Sequence, residues 1–162
     1  MSVDSAVKQK RKPLEFPPLE AGDHMNAAEF ERRYHAMPEV KKAELIRGIV
    51  YMPSPVRLEH HGEPHSDAVG WIVYYKSLTR GVRSGDNSTI RFDEWNEPQS
   101  DISLLIPARA GGQSTISEDD YVTGPPELVF EVTASSRSLD LGAKKGVYAE
   151  FYERSRDLLW DW

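Results

Sequence analysis

The pattern of apolar and polar positions predicts two helices and a β-hairpin in the first half of the chain. Asn26, with Glu29 three positions later, forms a capping-box pattern, so a helix is predicted to begin there. Two apolar runs flank a tight turn at Arg47-Gly48, which predicts a hairpin over residues 42–53. From about residue 60 to residue 78 the apolar positions repeat with the helical period. The side chains assigned to the core from this helix are Ala68, Val69, Trp71, Ile72, Val73, Tyr74 and Tyr75.

The second half of the chain is predicted to contain strands followed by a late helix. Residues 108–120 are rich in Gly and Ser and are predicted to form a loop. The predicted elements are strands within 81–92 (after a polar bend at 84–87), at 101–106 and at 128–133, a helix at 141–155 and a last strand at 158–160. This order predicts an α/β (α+β) fold in which helices flank a mixed central β-sheet, with the first helix and the hairpin as N-terminal additions.

Length and composition predict one domain at residues 23–162, preceded by a flexible tail at residues 1–22 that carries a basic cluster and several prolines. No apolar run is long enough to cross a bilayer and the polar N-terminus is unlike a signal peptide, so neither a membrane partner nor export is expected. The absence of cysteine fits a reducing cytoplasm and excludes a thiolate metal site. The net charge of −6 argues against a broad, non-specific surface for nucleic acid, although a local basic groove is compatible with it.

Two carboxylates stand in apolar, β-favouring runs. Glu131 lies within one such run and Asp101 opens another. Burial of an unpaired charge is costly, so each carboxylate needs a partner. Strand alternation places Glu131 on the same face as Thr133, and Asp101 on the same face as Ser103. If the two strands are neighbours, the carboxylates converge, and such hard oxygen ligands suit Mg²⁺ or Mn²⁺.

The last predicted helix carries a cation on its apolar face. Lys144 shares this face with Leu141, Tyr148 and Phe151, whereas Lys145 points away from it. A buried lysine needs a partner, and the preceding strands offer their carboxylates. The residues leave two interpretations open. One is a structural ion pair between Lys144 and Glu131, and the other is a site in which Lys144 stabilises charge on a phosphate.

These residues, in this order, resemble the PD-(D/E)XK nuclease superfamily and, within it, the Uma family of restriction-endonuclease-like proteins. The resemblance extends from about residue 25 to the end of the chain, and its motifs are specific only in combination. The matching segments are Ala43–Gly48, Met52–Pro55 with His60, Gly85–Asn87, Glu97–Asp101, Pro126–Val132, and Asp140 with Lys144 and Tyr148. The resemblance implies a restriction-endonuclease-like core and a Mg²⁺-dependent endodeoxyribonuclease that hydrolyses DNA phosphodiester bonds, with Mn²⁺ as an alternative metal.

The resemblance also implies roles for particular residues. Asp101 and Glu131 would bind the metal, and the carbonyl of Val132 would add a ligand. Glu44 matches a further upstream acid that completes the metal shell or orients a water. Lys144 would act as the superfamily's lysine.

The resemblance also implies a role for one histidine, and at one position this chain departs from the superfamily's pattern. His60 matches the family's histidine and is expected at the rim of the site, in contact with a substrate phosphate or Glu44. His61 and His65 have a spacing that suits metal ligation, but with only Glu59 as an acidic neighbour a polar helix start is favoured. In the wider superfamily the lysine commonly lies two residues after the acid, where this chain has Thr133.

The chain stops where relatives usually continue with further strands, which suggests a truncated or altered C-terminus. Because a domain with one site must pair to cut both DNA strands, a homodimer is a reasonable expectation. The alternative function is a catalytically inactive module that keeps the nuclease fold and binds nucleic acid or protein. The net charge favours this alternative slightly.

Overall fold

The computed structural model describes residues 16–52, 57–133 and 139–157. Two helices are preceded by single π-helical turns, at Leu58–Gly62 and Asp140–Lys144. The helices are α1 (Ala27–His35), α2 (Glu63–Leu78) and α3 (Lys145–Asp157). The strands are β1 (Glu44–Ile46), β2 (Ile49–Tyr51), β3 (Arg83–Arg91), β4 (Gln99–Leu105), β5 (Thr115–Ile116), β6 (Val122–Thr123) and β7 (Leu128–Phe130).

The central sheet has five strands in the order β5-β6-β3-β4-β7. It is mixed, because β3 and β6 run parallel while the other neighbours are antiparallel. Alternation along β4 directs Ile102 and Leu104 to a cluster with Ala68 and Ile72 of α2. Leu105 instead packs with Tyr148 of α3. The two helices therefore cover opposite faces, and the predicted mixed sheet flanked by helices is confirmed.

The N-terminal helix and hairpin form as predicted. The side chain of Asn26 accepts a hydrogen bond of 3.0 Å from the backbone N–H of Glu29 and so caps α1. Arg47 and Gly48 have φ values of 52° and 75°, the left-handed pair that a tight two-residue hairpin turn requires. The hairpin is fastened to the chain before β4 by two backbone hydrogen bonds between Leu45 and Glu97, of 2.7 and 3.2 Å. This places Glu44 of β1 beside the start of β4.

The ordered part of the domain begins earlier in the chain than residue 23. Leu19, predicted to lie in the flexible tail, is 3% exposed and packs with Phe30, Leu45 and Val50. A leucine buried in this way supplies apolar contacts that a flexible tail does not make. Residues 1–15 lie outside the described residues.

Three details of the predicted strands are corrected. The polar stretch 84–87 is not a bend before a strand but part of β3, because β4 pairs with Ser84, Gly85 and Asp86; Asn87, with a φ of 49°, is absent from this register. The predicted loop 108–120 contains β5 and a short 3₁₀ turn at Ala108–Ala110. β7 ends at Phe130, so Glu131 follows the strand directly. The strand predicted at 158–160 lies outside the described residues.

The outer side of α2 carries aromatic side chains that were wrongly assigned to the core. Trp71 is 60% exposed, Tyr74 66% and Tyr75 46%, and Val73 is exposed as well. The physical reason is that the helix has apolar residues on two sides, and only the side of Ala68 and Ile72 meets the sheet. No helix in the described parts of the chain combines the length and apolar character needed to cross a membrane.

Candidate active site

Four elements meet where β4 begins and β7 ends. β4 pairs antiparallel with β7 in the register Ile102 with Phe130 and Ser103 with Val129. One further step in this register places Asp101 opposite Glu131, so the sequence expectation that these strands are neighbours is met. The hairpin brings Glu44 to the same place, and Lys144 is supplied by the turn that leads into α3.

Lys144 is the buried centre of this group. Its side chain is 1% exposed, and its ammonium has three oxygen partners. The Nζ atom lies 2.8 Å from Glu44 Oε2, 2.9 Å from Glu131 Oε1 and 2.8 Å from the carbonyl oxygen of Gln99. A buried ammonium is tolerated only when its hydrogens are used, and three acceptors use all three. The predicted contact between Lys144 and Glu131 is present, and Glu44 joins it.

The titration of these groups follows from burial and charge. Burial raises the pKa of Glu131 to about 7, a shift that Lys144 opposes and the charge of Asp101 reinforces. Burial acts to lower the pKa of Lys144, but the charges of Glu44 and Glu131 outweigh it and raise that pKa above its ordinary value. Lys144 is therefore charged at neutral pH. Tyr148 donates its hydroxyl to Glu131 Oε1 at 2.8 Å, and burial raises the pKa of this tyrosine.

Asp101 is held differently from the carboxylates around Lys144. Its Oδ2 accepts a hydrogen bond of 2.8 Å from the backbone N–H of Val132, which fixes the carboxylate plane. Its Oδ1 faces two side chains at longer range, Lys42 Nζ at 3.5 Å and His61 Nε2 at 3.9 Å. Asp101 is 4% exposed, whereas the side chains of Lys42 and His61 are each 22% exposed. This oxygen therefore points to the side of the group that water can reach.

Lys42 is a site residue that the sequence reasoning missed. Its ammonium also lies 3.9 Å from Glu44 Oε1, so it stands between two of the carboxylates. The signal was available in the sequence, because residues two apart on an extended chain share a face and Lys42 lies two residues before Glu44.

The histidine at the site is His61 and not the predicted His60. His60 is exposed, while His61 Nδ1 lies 3.2 Å from the carbonyl oxygen of Val132. Successive residues of a helical turn point in different directions, so only one of the two imidazoles can face Asp101. The carbonyl of Val132, predicted as a metal ligand, thus faces an imidazole. His65 lies beside His61 with ring centroids 5.6 Å apart.

The donor set suits a hard divalent cation. Among the described residues no group of three or more His, Asp or Glu side chains is arranged to hold a metal. Mg²⁺, however, commonly takes one or two carboxylates and keeps its waters, which Asp101 and Glu131 can satisfy. The ammonium of Lys42, 3.5 Å from Asp101 Oδ1, stands in for such a cation. The residues therefore fit the metal that the sequence resemblance implied.

Comparison with known proteins now gives the class of this chain. Residues 27–152 match the profile of the Uma2 family, which is described as "putative restriction endonuclease". The match covers more than half of the chain, and the protein belongs to this family.

Other comparisons add less. A solved structure described as a "putative nuclease" of DUF820 from Anabaena variabilis aligns with a TM-score of 0.47 and 18% identity. The alignment covers 67% of the present chain and 62% of that nuclease, so the chain spans less than two thirds of its length. A search of curated proteins finds no match.

Proposed function

We propose that the protein is a metal-dependent endonuclease that hydrolyses phosphodiester bonds in DNA, with Mg²⁺ or Mn²⁺ bound at Asp101 and Glu131. The observation that carries the proposal is the buried triad of Lys144 with Glu44 and Glu131, directly beside an aspartate whose Oδ1 faces an ammonium and an imidazole. The family's description as restriction endonucleases supports a nucleic acid as substrate.

Each side chain has a defined task in this proposal. Asp101 is oriented by the N–H of Val132 to its Oδ2, so that Oδ1 would be available to a divalent cation. Lys144 holds Glu131 by one oxygen, opposes the rise in its pKa that burial causes and lends positive charge to the reacting phosphate. Glu44 anchors Lys144 and accepts the N–H of Gln99 at 3.0 Å, which fixes the start of β4. A bound divalent cation would supply Lewis acidity that helps to ionise the attacking water and neutralises charge on the phosphate.

A cleft lies beside Glu131 and Tyr148. It has a volume of about 410 Å³ and is lined by Glu131, Thr133, Lys145 and Tyr148, among others. Lys145 is exposed there, so an ammonium is available to a DNA phosphate. The cleft thus has Glu131 and an exposed lysine in its lining, whereas Asp101 is not among its lining residues.

Nicking of supercoiled DNA tests the proposal directly. The wild type is expected to convert supercoiled to open-circular plasmid with Mg²⁺ or Mn²⁺, and chelation should stop it. Asp101→Asn should remove this activity while the protein stays folded by circular dichroism. If the purified wild type cleaves neither DNA nor RNA with either ion, and binds neither ion, the proposal is wrong.

The second candidate function is a catalytically inactive module that binds nucleic acid or protein. One observation favours it: Lys42 and Lys144 already neutralise carboxylates that a metal would use. Calorimetry separates the two functions, because such a module should show no Mn²⁺ binding that depends on Asp101. Pairing of two copies for double-strand cleavage belongs to the same proposal, and sedimentation on DNA would detect it.

A further inference from the structure

We propose that His61 is a nitrogen ligand of the cation that Asp101 binds, so that the site takes Mn²⁺ in preference to Mg²⁺. This inference rests on the proposed function, since it assumes a cation at Asp101. It adds the choice of metal and a residue that the sequence had assigned to a polar helix start.

The hydrogen bond of His61 fixes which ring nitrogen carries the hydrogen. The carbonyl oxygen of Val132 can only accept, so the Nδ1 atom at 3.2 Å must be the donor. In the neutral imidazole, Nε2 then presents a lone pair. This atom is directed at Asp101 Oδ1, which is also an acceptor.

Two acceptors that face each other call for a positive group between them. His61 Nε2 and Asp101 Oδ1 are 3.9 Å apart, which is too long for a direct hydrogen bond. Two metal–ligand bonds of about 2.1 Å can span this separation. A divalent cation bound between these atoms would satisfy both lone pairs.

The surroundings of His61 match those of a metal-binding imidazole. Such a histidine usually donates its other N–H to a carbonyl or a carboxylate, which fixes the ring, and Val132 provides that carbonyl. His65 stacks on the ring with an interplanar angle of 14° and is itself held, with Nε2 3.0 Å from Asp86 Oδ1 and 3.3 Å from the carbonyl of Asp101. The imidazole of His61 is therefore oriented before any cation arrives.

The chemistry of the donor decides the metal. Imidazole binds first-row transition metals well, whereas Mg²⁺ is bound through oxygen. Lys42 is the other cation near Asp101 Oδ1, and its 22% exposed side chain can swing away when a divalent ion binds. The imidazole of His61 should therefore raise the affinity of the site for Mn²⁺ more than its affinity for Mg²⁺.

Calorimetric titration with Mn²⁺ and with Mg²⁺ tests the role of His61 without any DNA. His61→Ala is expected to weaken Mn²⁺ binding by at least about tenfold, the lower range for loss of a group that supports a metal. Its effect on Mg²⁺ should be much smaller. His60→Ala is the matched control, because the neighbouring imidazole is exposed, and it should leave Mn²⁺ binding unchanged.

Pulsed EPR of Mn²⁺ bound to the wild type gives an independent answer that does not depend on how a variant folds. A hyperfine coupling to ¹⁴N is expected, and it should survive His60→Ala and disappear in His61→Ala. If Mn²⁺ binds in a manner that depends on Asp101 but shows no nitrogen coupling, or binds His61→Ala as tightly as wild type, this inference is overturned and the proposed function stands. If the wild type binds no Mn²⁺, both fail.

Discussion

The group of charges at the start of β4 has two halves that differ in how they are satisfied. Around Lys144 the contacts are short, between 2.8 and 2.9 Å, and the ammonium is 1% exposed. Around Asp101 Oδ1 the neighbouring side chains, Lys42 and His61, lie at 3.5 and 3.9 Å and are 22% exposed. We call these the closed half (Lys144, Glu44, Glu131 and Tyr148) and the open half (Asp101, Lys42 and His61).

This difference indicates that the closed half mainly stabilises the fold and that the open half mainly binds the metal. The charges of the closed half are fully paired and buried, so they are held in fixed positions, and removing one of them should destabilise the fold strongly. Charges that are satisfied loosely and next to solvent can exchange a protein cation for a metal, as the open half can. We therefore expect changes in the closed half to act first on stability, and changes in the open half to act first on metal binding and cleavage.

The largest effect on stability is expected for Lys144→Ala. This change leaves the buried carboxylates of Glu44 and Glu131 without their cation, and loss of one partner of a buried pair costs about 3–5 kcal/mol. Urea unfolding measures the free energy directly. Lys145→Ala is the control, because the adjacent exposed lysine should change stability by no more than about 0.5 kcal/mol. Equal effects of the two variants would contradict the distinction between the halves.

The largest effect on activity is expected for Asp101→Asn. The amide oxygen can still accept the N–H of Val132, so stability should stay within about 1 kcal/mol of wild type. The change removes a carboxylate that would bind the cation directly. Nicking should therefore fall by more than about 100-fold, which exceeds the loss expected for a residue that only supports a metal ligand. Plasmid nicking and urea unfolding, run on the same preparation, test both parts. Retained activity would show that the open half is not the metal site.

The pH dependence of stability tests Glu131. Its pKa of about 7 lies above its ordinary value of 4.5, so the folded protein holds this proton to higher pH than the unfolded chain does. The resulting stability is fully present below about pH 4.5 and is lost as the pH rises through 7. Over this interval wild type should lose on the order of 2–3 kcal/mol more than Glu131→Gln does.

Urea unfolding between pH 4.5 and pH 7.5 measures this difference. Glu97, whose pKa is raised to about 8 by burial and by Glu31, is present in both proteins and cancels in the comparison. Parallel pH profiles for wild type and Glu131→Gln would show that Glu131 does not titrate abnormally.

The smallest effect is expected for Tyr148→Phe. The change removes only the hydroxyl that donates to Glu131 Oε1, which should cost about 1.5 kcal/mol, the lower value for a hydrogen bond to a charged group. Thermal or urea unfolding measures it, with Tyr74→Phe as the control because that tyrosine is 66% exposed. A loss no greater than that of the control would remove Tyr148 from the closed half.

The contact between Lys144 and Glu131 could be predicted from the sequence because it follows from local rules, whereas Glu44 was assigned only by the family resemblance. Strand alternation placed Asp101 and Glu131 on faces that can converge, and the helical period placed Lys144 on the apolar side of the helix predicted at 141–155. A lysine on such a face needs acids, and the preceding strands were the nearest source. These arguments use only spacing and the cost of a buried charge.

The choice of His61 over His60 and the exposed surface of α2 could not be predicted so well, because they depend on helix orientation. The π-helical turn at Leu58–Gly62 precedes α2, and the spacing of His60 and His61 alone does not say which ring faces Asp101. In the same way, periodicity showed apolar residues around α2 but not that the side of Ile72, and not that of Trp71, meets the sheet. Both choices are made by tertiary packing.

A crystal soaked in Mn²⁺ and measured at the manganese edge tests the division between the halves most directly. The account predicts an anomalous peak within about 2.3 Å of Asp101 Oδ1, with Lys42 moved away. It also predicts that Lys144 Nζ remains between Glu44 and Glu131. An anomalous peak that replaces Lys144, or no peak near Asp101 with Lys42 still beside it, would contradict the account.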